Sequence, residues 1–180
     1  MPSNNRRILE LCFEHAAESP CQKMGFGSYA FQKERWIGAW ATNGWYRNGL
    51  TSPPVPCGRC LREGVQSGTR IELCRALHAE QAAIMRALYR NVNLQGGELF
   101  VAGLKADGQP YLKLSRGFYC TLCARMALAV GISTVIVPVK SDDPSGWEPA
   151  VMTAVEVWQY AYDVAEGRVV PQTTAEGTPI

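Results

Sequence analysis

The sequence contains no long run of basic residues and no long apolar run. Its 18 lysines and arginines nearly balance its 16 aspartates and glutamates, and the basic residues are scattered rather than grouped. No window approaches the roughly 18 consecutive apolar residues of a membrane-spanning helix. Neither a long nucleic acid nor a membrane is therefore indicated as a partner, whereas a small phosphorylated ligand stays open.

The N-terminal stretch lacks the pattern of a secretory signal. Positive charge at Arg6 and Arg7 is followed by an apolar stretch that Glu10, Glu14 and His15 interrupt. We therefore expect a cytoplasmic protein, in which the seven cysteines stay reduced. Their spacings then indicate metal binding or catalysis rather than disulfides.

Histidine is scarce, because the 180 residues include only His15 and His78. His15 shares a face of a predicted helix with Ile8 and Cys12, which favours a core histidine over a ligand. His78 opens the sequence His78-Ala79-Glu80, directly before apolar residues at helical spacing begin. Side chains two apart diverge inside a helix, so the imidazole and the carboxylate can share a site only where a loop becomes a helix.

Predicted helices and strands alternate along the chain, which favours an α/β fold. No repeat or second domain is visible, so we expect one domain over residues 1–165 and a flexible tail over 166–180. Helices are predicted over 6–18, 78–91, 120–130 and 146–165, the last with Pro149 in its first turn. Strands are predicted over 25–31, 35–42, 97–104, 109–114 and 133–139.

Residues 43–70 are rich in glycine, proline, serine and asparagine, and they predict a long loop. Loops of that length in compact domains are usually functional. Basic side chains in and around this loop could neutralise a phosphate on a small ligand: Lys23, Arg62, Arg70 and Arg75. Solvated surface charge is the alternative for each of them.

A pair of cysteines at a predicted helix start carries the strongest chemical signal. Cys120 and Cys123 are three residues apart, so both sulfurs lie on one face, and the helix N-terminus favours thiolates. With His78 they would give zinc three ligands and leave the fourth tetrahedral position open to water, as in catalytic sites. Zinc lowers the pKa of such a water to roughly 7. A carboxylate beside the metal, such as Glu80, can then move the proton.

The remaining cysteines leave two other arrangements open. A closed four-cysteine site in a non-enzymatic zinc-binding module would join Cys57 and Cys60 to Cys120 and Cys123. The 60 positions between the two pairs far exceed the usual ~15–20, and His78 and Glu80 would have no role. Alternatively, a second, structural zinc or a set of reduced, half-buried thiols could explain Cys21, Cys57, Cys60 and Cys74.

The combination of H-A-E at one helix start and C-x-x-C at the next resembles the signature of the zinc-dependent cytidine deaminase superfamily. The resemblance is to its deoxycytidylate (dCMP) deaminase branch and covers roughly residues 6–140. It is carried by "SPCQKMGFGSYAF", "ATNGW", "CLREGVQSGTRIELCRALHAEQAAI" and "YCTLCARMALAVGISTVIV".

The resemblance implies a three-layer sandwich in which helices flank a mixed five-stranded sheet. It also implies that His78, Cys120 and Cys123 hold zinc, that Glu80 is the catalytic proton shuttle, and that Asn43 contacts the substrate. The implied reaction is hydrolytic deamination of a cytosine nucleotide similar to dCMP, with release of ammonia, in a homo-oligomer. A nucleoside, a free base or another amino-heterocycle is the alternative substrate for the same mechanism.

Two residues depart from the pattern of that branch. Tyr119 precedes the first motif cysteine, where the family usually has proline, and Ala82 stands where asparagine often follows H-A-E. Tyr119 could stack on a base or pack in the core. Neither departure removes a predicted ligand or Glu80, so the reaction is predicted more firmly than its substrate.

Overall fold

In a computed structural model of the chain, the described residues are 4–35, 37–65, 70, 73–112 and 120–169. Within them lie four α-helices and six β-strands. The helices are α1 (Asn4–Ala17), α2 (Ala79–Tyr89), α3 (Thr121–Ala129) and α4 (Ala154–Ala165). The strands are β1 (Met24–Gln32), β2 (Ile37–Thr42), β3 (Glu98–Lys105), β4 (Pro110–Tyr111), β5 (Thr134–Lys140) and β6 (Trp147–Thr153).

The strands form one mixed sheet in the order β2-β1-β3-β5-β6, and the short β4 also pairs with β3. β3 and β5 are parallel, and the other pairs are antiparallel. The parallel pair needs a crossover connection, which α3 supplies. The predicted mixed α/β sheet is therefore confirmed, with one more strand than the five expected.

Helices cover both faces of the sheet. On one face, Leu9 and Cys12 of α1 pack against Phe31, Phe100 and Ile136 of the strands. On the other face, α2, α3 and α4 bury small and aliphatic side chains against the sheet: Ala82, Ala83, Ile84, Ala87, Cys123, Ala124, Ala127, Val157 and Ala161. Small side chains let a helix axis approach the strands closely, so the starts of α2 and α3 are held firmly on one side of the sheet.

Two glycines of β1 allow α1 to lie directly on the strand. A Cβ atom on Gly25 would overlap the carbonyl oxygen of Ala16, and one on Gly27 would overlap that of Cys12. Any larger residue would push the helix away from the sheet. The close approach of α1 thus explains both glycines of "GFGS" in the first half of β1.

The prediction of a helix over 146–165 is wrong in its first half, because Trp147–Thr153 form β6. Burial alternates from Ala150 onward, with Ala150 and Met152 buried in one core cluster, and Trp147 is buried in the other cluster. Pro149 lies in this outer strand of the sheet, where a missing N–H is tolerated, and not in the first turn of a helix. The run was misread because the helix that follows it is strongly periodic.

His15 is also not the core histidine that the sequence suggested. Its ring is half-buried, lies 5.0 Å from the ring of Trp40, and places Nδ1 3.3 Å from the carboxylate of Glu18. Trp40 belongs to β2, an edge strand of the sheet, so His15 lies at the edge of the sheet and not in the core.

Parts of several predictions lie outside the described residues, among them residue 36 of the strand over 35–42 and residues 66–69 of the long loop. The end of the strand over 109–114, Tyr119, and the tail beyond residue 169 also lie outside them. The single domain and the flexible tail stay predictions. Among the described residues, no helix is long and apolar enough to cross a membrane.

Candidate metal centre

His78 lies at the point where the long loop becomes α2. Its backbone is extended, and its N–H donates to Oε1 of Gln81 in the first turn, at 3.3 Å. The preceding residue, Leu77, exchanges two backbone hydrogen bonds with Gly44, at 2.9 and 3.2 Å. The histidine thus lies at the loop-to-helix boundary that the sequence predicted, and the bonds of Leu77 also fix it to the segment that leaves β2.

Cys120 and Cys123 form the first turn of α3. Cys120 caps the helix, and its Sγ accepts a hydrogen bond from the backbone N–H of Cys123, at 3.4 Å. Cys123 is fully buried. A sulfur held at a helix N-terminus faces the positive end of the helix dipole, which stabilises a thiolate.

The two helix starts bring three ligand atoms together. Nδ1 of His78 lies 3.3 Å from Sγ of Cys120 and 3.2 Å from Sγ of Cys123, and the two sulfurs are 3.1 Å apart. Within the described parts of the chain, this is the one group of three such residues whose ligand atoms all lie within 4.8 Å of one another. One nitrogen and two sulfurs around a common point suit zinc, which takes both ligand types in tetrahedral geometry.

The centre is also electrostatically suited to a cation. A hydrogen bond from Cys123, aided by His78, lowers the pKa of Cys120 to about 4 despite burial. Burial alone would lower the pKa of His78, but the hydrogen bond with Cys120 and the charge of Glu80 raise it to about 9. The pKa of Cys123 lies well above its ordinary value, first because of burial. A thiolate and a carboxylate are therefore confined here, and the residues fit a zinc ion.

Glu80 lies beside the three ligands and is not one of them. It is the second residue of α2 and only 6% exposed. A hydrogen bond between its carboxylate and the thiol of Cys123 contributes to the raised pKa of that cysteine. A buried carboxylate is costly unless it is partnered, so its position next to the centre is held by specific contacts.

Asn43 has a structural role that the sequence did not predict. Its Oδ1 accepts from the N–H of Phe26 at 2.6 Å and from Oγ of Ser19 at 2.7 Å, and its Nδ2 donates to the carbonyl of Met24 at 3.0 Å. These bonds tie the end of β2 to the connection between α1 and β1. Contact between Asn43 and a substrate stays a prediction.

The basic residues near the loop differ in their surroundings. Nζ of Lys23 donates to the carbonyl oxygens of Arg62 and Val65, so Lys23 fastens the loop. The guanidinium of Arg75 lies 5.7 Å from the centroid of the Trp45 ring. Arg62 is close enough to the centre for its charge to oppose protonation of His78 and so lower the pKa of that histidine.

Four of the five remaining cysteines form a separate cluster, and the fifth, Cys12, lies in the core beneath α1. Cys21, Cys57, Cys60 and Cys74 are free thiols that line one cavity. Burial raises the pKa of Cys57, and the charges of the other three raise it further, as expected for neighbouring thiols. Because Cys120 and Cys123 group with His78 instead, the closed site that would have joined the two C-x-x-C pairs is wrong.

No protein-family model matches the sequence, and the comparison with curated proteins gives no match either. Solved structures do match. The dCMP deaminase of the cyanophage S-TIM5, in apo form, shares 18% identity with a TM-score of 0.51, covering 88% of this chain and 92% of that one. Its complex with dCMP and dUMP gives 19% identity over the same shares of the two chains, also with a TM-score of 0.51.

A cytidine deaminase from Burkholderia pseudomallei matches equally well in shape. It shares 13% identity with a TM-score of 0.51, and the match covers 84% of this chain and 94% of that one. At these identities the comparisons establish the architecture alone. The chain therefore has the fold of the dCMP and cytidine deaminases.

Proposed function

We propose that the protein is a zinc-dependent hydrolytic deaminase that converts a cytosine nucleotide similar to dCMP into the uracil nucleotide and ammonia. The observation that carries this proposal is the grouping of His78, Cys120 and Cys123 with the buried carboxylate of Glu80 beside them. Two cysteines and one histidine leave a tetrahedral metal one open position, which distinguishes a catalytic site from a closed structural one.

The chemistry divides between the metal and the chain. A zinc ion bound here would supply a water molecule whose pKa is lowered to about 7, and hence a nucleophile at neutral pH. Glu80 would carry two protons in turn: one from the water to the ring nitrogen, and a second from the hydroxyl group added to the ring carbon to the amino group, which leaves as ammonia when its bond to that carbon breaks. The buried position of Glu80 would keep each proton inside the site during its transfer.

The fold comparison supports the nucleotide as substrate. The S-TIM5 enzyme, which has the same fold, has been crystallised in complex with dCMP and dUMP, and dUMP is the product of deaminating dCMP. In this chain, Arg62 lies near the metal centre, where its guanidinium could pair with a 5′-phosphate. Arginine binds phosphate through charge-assisted, often bidentate hydrogen bonds.

A nucleoside is the second candidate substrate, because the B. pseudomallei cytidine deaminase matches the fold with the same TM-score of 0.51. The reaction and the roles of the metal and Glu80 would be unchanged. Only the group that Arg62 meets would differ between the two candidates. The cytoplasmic location and the homo-oligomeric state expected from the sequence stay predictions.

Matched kinetics on dCMP and deoxycytidine test the proposal. We expect dCMP to have the higher kcat/KM. Arg62→Gln should raise the KM for dCMP by roughly tenfold or more, because a charge-assisted bond to the phosphate is lost, and should change the KM for deoxycytidine little. Added salt should weaken dCMP binding more than deoxycytidine binding. Arg59→Gln, at an exposed position of the same loop, is the matched control. Equal kcat/KM for the two substrates would favour the nucleoside.

A further inference from the structure

Two segments far apart in the sequence are fastened together beside the metal centre. Nε2 of Gln22 donates to the carbonyl of Gly58 at 3.3 Å, and Nζ of Lys23 donates to the carbonyl of Arg62, also at 3.3 Å. Cys21 directly precedes these two residues in the sequence. The connection between α1 and β1 therefore holds the part of the loop that contains two further cysteines.

A small cavity lies at this junction. Its volume is about 30 Å³, and cysteines from three places in the sequence line it: Cys21, Cys57 with Cys60, and Cys74. A space of this size accommodates a single ion or water molecule and is too small for an organic ligand. The cavity is thus lined by four soft ligand groups with room for one small occupant.

We propose that Cys21, Cys57, Cys60 and Cys74 bind one zinc ion in a closed, structural site separate from the catalytic centre. Four thiolates satisfy the tetrahedral coordination of zinc and leave no position for substrate. Cys57 and Cys60 have the C-x-x-C spacing of such sites, and Gly58 between them has a φ of 78°, a left-handed conformation that glycine adopts without strain. Soft thiolates select zinc over the oxygen-preferring cations.

The four sulfurs are more widely spaced than the ligands of the catalytic centre, whose atoms lie within 4.8 Å of one another. Like-charged thiolates repel each other, and a divalent cation among them removes that repulsion. The described residues around Gly58 lie in no helix or strand, so this turn can close around the ion with little strain. Zinc binding would thus draw the loop onto the connection between α1 and β1.

The proposed site explains how the segment around Cys57 and Cys60, which is described as neither helix nor strand, is held next to the catalytic centre. Arg62 follows Cys60 by two residues, and His78 follows Cys74 by four. A zinc ion that joins these cysteines fixes both ends of the segment between them. The structural zinc would therefore set the position of Arg62 relative to the catalytic ligands.

Metal content per chain tests the proposal without reference to activity. The wild-type protein should contain two zinc equivalents, Cys123→Ala one, Cys57→Ala one, and the double variant none. Cys12→Ala, which removes a buried cysteine outside both clusters, should retain two. A Cys57→Ala protein that keeps two equivalents, or a Cys123→Ala protein that has none, would overturn the structural site.

Cobalt substitution covers the case in which Cys57→Ala does not fold. In the Cys123→Ala protein, one equivalent of Co²⁺ should give the intense visible bands of tetrahedral cobalt and a strong thiolate charge-transfer band. Zinc should displace it one for one. Weak octahedral bands, or a count of free thiols under denaturing conditions that reveals a disulfide among the four cysteines, would contradict the proposal.

Proteolysis tests the structural consequence. Trypsin cleaves after arginine; the loop contains Arg47, Arg59, Arg62 and Arg70, and Arg75 follows it. In the Cys123→Ala protein, removal of zinc by a chelator should increase cleavage within the loop at least tenfold, and added zinc should restore protection. Identical cleavage with and without the chelator would show that no metal holds the loop.

Discussion

Glu80 shows how a single helix boundary determines what a carboxylate can do. Successive residues of a helix are rotated by 100°, so side chains two apart normally point about 200° away from each other. His78 precedes the helix with an extended backbone, whereas Glu80 is already in its first turn. This change of backbone conformation is what lets both side chains reach the same centre.

Glu80→Gln should separate proton transfer from metal binding. The amide matches the carboxylate in size but cannot accept a proton at neutral pH, so kcat should fall by two or more orders of magnitude. Zinc content and KM should change little, because Glu80 is not a ligand. Steady-state kinetics and zinc analysis check both quantities.

Glu63→Gln is the matched control, since Glu63 is exposed on the loop, and it should keep wild-type turnover. Substantial activity in Glu80→Gln would assign the proton transfer to another residue.

Asn43 is expected to matter first for stability. Removing its amide in Asn43→Ala leaves the N–H of Phe26 and the carbonyl of Met24 without their partner at a buried position. We expect a loss of about 2–3 kcal/mol in the free energy of unfolding, measured by urea denaturation.

Asn93→Ala provides the comparison, because the Asn93 side chain caps an exposed turn through the N–H of Gln95 and should cost about 1 kcal/mol or less. If Asn43→Ala is as stable as the wild type and only KM rises, the residue acts through substrate contact alone.

Among the secondary-structure elements, α4 shows a signal that the sequence contained and the prediction overlooked. The side chain of Thr153 accepts a hydrogen bond from the N–H of Glu156 at 3.1 Å, and the carboxylate of Glu156 accepts one from the N–H of Thr153 at 2.7 Å. The sequence T-A-V-E is thus a capping box, and it begins the helix seven residues after Gly146. Using Pro149 as the helix start concealed β6.

Thr153→Ala should destabilise the protein by about 1 kcal/mol, because the helix loses the side-chain acceptor at its start. Thermal or urea unfolding measures the change. Thr51→Ala, at an exposed position in the loop, should be neutral. If both substitutions have the same effect, the capping box contributes nothing to the stability of α4.

At the scale of the whole molecule, the sequence predicted the metal centre better than its surroundings. His78, Cys120 and Cys123 could be identified because residue type, spacing and helix starts coincide. The hydrogen bonds of Asn43 and the place of Arg62 depend on a long loop whose path follows no periodic pattern. The cavity shared by four cysteines likewise required the packing of three separate segments.

The central claim is that the His78, Cys120 and Cys123 centre serves hydrolytic deamination with Glu80 as its proton carrier. Ammonia release from a panel of amino-heterocycles, with dCMP, deoxycytidine, cytidine and adenosine among them, tests it most directly. The zinc-loaded protein should release one ammonia per uracil nucleotide formed from dCMP, and the zinc-loaded Glu80→Gln protein should release almost none. A wild-type protein that contains its full zinc and deaminates no member of the panel would contradict the account.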